Sequence, residues 1–113
     1  MKSDAVYLRH VLDAINQIQE YAKDIKYEDF KTNRLVQDAT IREFEIIGEA
    51  TKNLSDELRE KYPDILWKDM AGMRDKLIHQ YFGVDITAVW DSINDDLPPL
   101  KDKIIEILES EKS

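Results

Sequence analysis

Arg74, Asp75, His79 and Tyr81 crowd into one stretch whose apolar pattern predicts a helix over 69–82. On a wheel of about 100° per residue, Met70, Met73, Leu77 and Tyr81 form an apolar stripe, with Arg74 inside it beside Ala71 and Ile78. An unpaired buried charge is very costly, so such an arginine pairs within a bundle, snorkels to water or faces an anion. His79 falls on another face, with Asp75 and Gly72. At i,i+4 spacing the Asp75 carboxylate can orient the imidazole or raise its pKa, and Gly72 leaves bare backbone with room for a ligand or another chain. The plain alternatives are an ion pair for Arg74 and a solvated surface position for His79. On a helix the two lie about 140° apart and about 7.5 Å apart along the axis, so one helix does not easily bring both to one phosphate. A two-fold dimer with this helix near its axis does, because each subunit contributes to a shared cleft.

The surrounding chain supplies helices to carry this stretch. Only three glycines and three prolines interrupt its 113 residues, and strand-like alternation never persists, so the fold class is all-α. Leu8, Val11, Ile15, Ile18, Ala22 and Ile25 form a heptad seam, with Ser3 or Asp4 as N-cap. The seam is too short for a free-standing coiled coil and predicts a long helix packed lengthwise in a bundle. A second long helix runs from near Thr32, its cap, to Leu54. Its apolar residues cover a wide arc, as in a helix with more than one neighbour. Gly48 sits inside it at a cost of about 1 kcal/mol relative to alanine, which fits a place where another backbone comes close.

Ser55 caps a short turn that Tyr62-Pro63 ends, since the residue before proline disfavours the α conformation. After the 69–82 helix, stopped by Gly83, Asp85 caps a fourth helix carrying Ile86, Val89, Trp90, Ile93 and Leu97. Pro98-Pro99 separates it from a last short helix, and the Glu-Ser-Glu-Lys-Ser end frays. The expectation is one domain, residues 1–113, with no repeat and no linker.

Composition bounds the chemistry. Cysteine is absent, so there is no disulfide framework and no thiolate metal site. The two histidines, His10 and His79, lie far apart with no ligand motif, so no metal or cofactor is expected, and His10 reads as structural or surface. No stretch approaches the roughly 20 apolar residues of a membrane span, and the N-terminus has no apolar signal region. The expectation is therefore a soluble cytoplasmic protein. A net charge of −8 repels polyphosphate at long range, so any RNA contact must use a local basic cluster, a second subunit or a partner.

Arg74 to Tyr81 matches the R-x4-H-x-Y signature of HepT-like proteins in the HEPN superfamily, and the chain resembles that family along nearly its whole length. Ile47-Gly48-Glu49-Ala50 and Tyr62-Pro63-Asp64-Ile65-Leu66-Trp67 precede the signature, and Gly72-Met73 leads into it. Val84-Asp85, Val89-Trp90 and Leu97-Pro98 follow in order. The resemblance implies a four- to five-helix HEPN-type bundle and a homodimer with a cleft at the two-fold axis, lined by Arg74 and His79 of both subunits. It implies a metal-independent endoribonuclease acting as a toxin. Its partner would be a minimal nucleotidyltransferase antitoxin that adds AMP to the motif tyrosine, here Tyr81. RNA carries its own nucleophile, the 2′-hydroxyl, so a histidine that moves protons and an arginine that holds phosphate suffice. The alternatives are a non-catalytic HEPN module that binds a nucleotide or the nucleotidyltransferase, and a purely structural dimerisation domain with Arg74 as a buried ion pair.

Overall fold

The computed structural model describes residues 2–73, 78–79 and 83–111. Helix α1, Lys2–Ala22, buries Leu8, Val11, Ile15 and Ile18 completely, as its heptad spacing requires. It packs along α3, Arg34–Lys52, and along the C-terminal helix. Asp4 does not cap α1, because the helix already begins at Lys2. It is buried instead, and its carboxylate accepts hydrogen bonds from the Ser55 amide (2.8 Å) and hydroxyl (2.7 Å). Ser55 in turn caps α4, Asp56–Lys61, by accepting from the Leu58 amide.

Thr32 is likewise not the cap of α3. It closes a short helix, α2 (Tyr27–Thr32), where its hydroxyl bonds back to the Glu28 and Asp29 carbonyls. The cap is the next residue, Asn33, whose side chain accepts from the Val36 amide at 3.1 Å. Phe30 of α2 is fully buried and packs at a tilt against Trp90 with ring centroids 5.2 Å apart.

The helix expected over 69–82 is not continuous. Helix α5, Trp67–Ala71, ends at Gly72, whose amide bonds to the Lys68 carbonyl. Met73 is helical again, but Ile78–His79 is a two-residue strand, β1, paired antiparallel with β2, Gly83–Val84. Glycine breaks a helix readily because its free backbone loses the most conformational entropy in one. β-branched Ile78 and Val84, set directly opposite each other in the ladder, favour extended backbone. The apolar stripe through Met70, Met73, Leu77 and Tyr81 carries no mark of this break.

After β2, Asp85 caps α6, Ile86–Asp91, by accepting from the Ala88 amide at 3.0 Å. Pro98-Pro99 does not divide this helix from the next. Helix α6 continues through a π-helical stretch, Ser92–Asp96, into α7, Leu97–Ser110. Pro98 has no amide for the Asn94 carbonyl, and in a regular α-helix its ring would press on that oxygen. A wider π turn just ahead of the proline, in which the Leu97 amide reaches the Ser92 carbonyl, removes the clash and lets the helix run on. Val89, Ile93, Leu97, Ile104 and Ile107 bury one continuous face against α1 and its neighbours. The described chain is an all-α bundle carrying one minimal β-ladder.

Candidate active site

Of the residues expected to do chemistry, His79 is described through its backbone, which pairs with Gly83 in the ladder. Arg74, Asp75 and Tyr81 lie outside the described residues. Because His79 sits on a strand, the helical-wheel angle to Arg74 and the i,i+4 relation to Asp75 do not carry over to it.

The framework that enters and leaves this stretch is well defined. A Cβ built on Gly48 would lie 3.1 Å from the Ala71 carbonyl oxygen and 3.7 Å from that of Met70. The missing side chain is what lets the last turn of α5 rest directly on α3, three residues before Arg74. The sequence expectation of a close backbone approach at Gly48 is met there. Trp67, buried at the start of α5, donates its indole N–H to the Tyr62 carbonyl at 2.9 Å. The entry loop is therefore held against the helix it feeds.

Two long-range clamps tie this loop to α7. Lys103 pairs with Asp64. Glu111 accepts from the Tyr62 hydroxyl (2.5 Å) and from Lys61 Nζ (2.7 Å). The hydrogen bonds from Lys61 and Tyr62 hold the Glu111 carboxyl below its ordinary pKa. The same bonds to Glu111 raise Lys61 and Tyr62 above theirs. Asp64 is lowered and Lys103 raised, each chiefly by its bond to the other. The C-terminal segment up to Glu111 is thus anchored rather than frayed. Partners 39 to 50 residues apart leave no local signal, so these contacts were not legible in the sequence.

The model of the ribonuclease HepT-like family matches residues 11–107. The chain belongs to that family. Among HepT-like relatives, a Methanocaldococcus jannaschii protein named as a gamma-glutamylcyclotransferase and, provisionally, an RNase is 51% identical over 96% of this chain. The chain spans 50% of that longer protein. A protein of Caldanaerobacter subterraneus subsp. tengcongensis, provisionally named an RNase, is 46% identical over 99% of this chain and 100% of its own length. One from Thermococcus cleftensis, provisionally named ribonuclease HepT, is 45% identical over 90% of this chain and 93% of its own. No solved structure matches the chain. The helical bundle is the one expected for a HepT-like chain, and the matched range includes the whole R-x4-H-x-Y stretch.

Proposed function

We propose that this HepT-like protein is a metal-independent endoribonuclease that works in the cytoplasm as the toxin of a toxin–antitoxin pair. The observation that carries this reading is the family match over residues 11–107, with Arg74, His79 and Tyr81 standing at the signature positions within it. The active unit is a homodimer whose two-fold axis brings Arg74 and His79 of both subunits to one cleft. Arg74 grips the scissile phosphate and stabilises the charge that builds on it. His79 takes the proton of the 2′-hydroxyl as that oxygen attacks phosphorus, and an imidazolium delivers a proton to the departing 5′-oxygen as its bond to phosphorus breaks. Asp75 is the supporting carboxylate.

Tyr81 is the regulatory position. AMP added to it by a minimal nucleotidyltransferase partner places a phosphate where it competes with RNA for the Arg74 guanidinium. Purified chain is expected to cut single-stranded RNA in the presence of EDTA. Arg74→Ala and His79→Ala should each slow cleavage by about 10²–10⁴-fold and abolish growth arrest on induced expression. RNA left intact by the wild-type dimer, or cut equally fast by both variants, overturns the reading. Co-expression with the nucleotidyltransferase should add an adenylyl mass that Tyr81→Phe removes.

The net charge of −8 favours a second reading, a non-catalytic HEPN module that binds a nucleotide or the nucleotidyltransferase. Saturable nucleotide binding without RNA cleavage is its signature.

A further inference from the structure

Where α5, Met73, the π-helical stretch and the start of α7 meet, the described residues leave an open groove of about 290 Å3. Its floor is apolar. Ile65, Met70 and Met73 are buried beneath it, Leu100 forms part of one wall, and Leu66 stands 69% exposed at the rim. Its polar edge is carboxylate. Asp69, Asp95 and Asp96 are exposed around it, while the remaining lining pair, Asp64 and Lys103, neutralise each other.

We infer that this groove docks a protein segment that presents a large apolar side chain flanked by lysine or arginine. Size points to a side chain or two, because 290 Å3 lies at the lower end of the roughly 300–1,000 Å3 typical of small-molecule sites. Paired methionines suit such a guest, since their flexible thioethers adapt to the shape of an inserted side chain. Charge decides its chemistry. Three carboxylates not neutralised by Lys103 attract ammonium and guanidinium groups and repel a phosphodiester backbone, so RNA is the wrong occupant. Among the described residues no three carboxylate or histidine groups are placed to hold a metal ion. An amphipathic basic helix meets both demands at once, with apolar anchors inward and cations over the rim. The π-helical stretch matters here because it supplies Ser92, Asp95 and Asp96 to one lip.

The test is an amide NMR titration of the full isotope-labelled chain with a synthetic leucine–lysine amphipathic peptide. A leucine–glutamate peptide of the same pattern and a single-stranded RNA oligonucleotide run beside it. The lysine peptide is expected to shift Leu66, Met70 and Leu100 saturably. Leu66→Ser, and Asp69→Asn combined with Asp95→Asn, should each weaken it about tenfold, with thermal melts confirming that these surface variants fold. Glu57→Gln combined with Glu60→Gln on α4 should change it less than about twofold. The inference is overturned by no binding, by shifts spread over the other acidic faces, or by equal losses from the α4 pair. Groove occupancy by RNA or by the glutamate peptide overturns it as well.

Discussion

Gly48 and Asp4 are the two residues whose roles depend most on atoms far away in the chain. Replacing Gly48 with alanine should add about 1 kcal/mol of helix propensity. The new methyl, however, would meet the Ala71 carbonyl at 3.1 Å, and overpacking of this kind costs about 1–3 kcal/mol. The obstruction is backbone rather than the tip of a flexible side chain, so the net effect is destabilising, by about 1 kcal/mol in a urea titration. A variant as stable as wild type would mean that α5 shifts freely on α3. Asp4→Ala removes the acceptor for both the Ser55 amide and hydroxyl. Losing these two part-buried hydrogen bonds to a carboxylate should cost about 1–3 kcal/mol in the same measurement. Neither residue belongs to the R-x4-H-x-Y stretch, yet both secure the elements on which it is strung.

Helix boundaries show how closely spaced signals compete. Thr32 and Asn33 are adjacent and both are good capping residues, but only Asn33 accepts from a first-turn amide of α3. Asn33→Ala should therefore cost about 1 kcal/mol. Thr32→Ala, whose hydroxyl donates only to carbonyls of its own short helix, should cost a few tenths. Equal losses in thermal melts would return the cap to Thr32. The same competition governs the ends of the chemical stretch. Ser55 and Asp85 were legible as caps because the cap, its acceptor atom and the amide it serves span four residues. The prolines at 98 and 99 do not form the boundary that their type suggests, because a π turn can absorb what an α turn cannot.

On the scale of the whole molecule, the loop entering α5 is braced to α7 by ionised groups, which gives the bundle a pH signature. Glu111 and Asp64 have depressed pKa values, so their contribution is present above the ordinary carboxylate range of about 4 and lost as pH falls below it through their lowered values. Lys61 and Tyr62 are raised, so theirs is present below about 10 and lost as pH climbs through their elevated values. Lys61 and Asp64 are exposed and Tyr62 and Glu111 only partly covered, so each step is small and salt-sensitive. Melting temperature against pH should show a plateau between the two limits, and Glu111→Gln should flatten both shoulders. Unchanged shoulders in that variant would place the titration elsewhere.

The bundle's main helices, the caps at Ser55 and Asp85 and the HepT-like signature were all determined by sequence alone. Each is written in periodicity or in neighbours a few residues apart, where the chain's own geometry dictates the outcome. Tertiary structure decided the rest. It set the β1–β2 ladder in place of a helix through His79, carried α6 unbroken into α7 and made the clamps from Asp64 and Glu111. It also opened the acid-rimmed groove beside Met73. The clamps and the groove depend on which distant surfaces meet, and no short window of sequence contains both partners. The ladder and the π turn are local in sequence, but the pattern there fits a regular helix or a break equally well, and the packed bundle chooses between them.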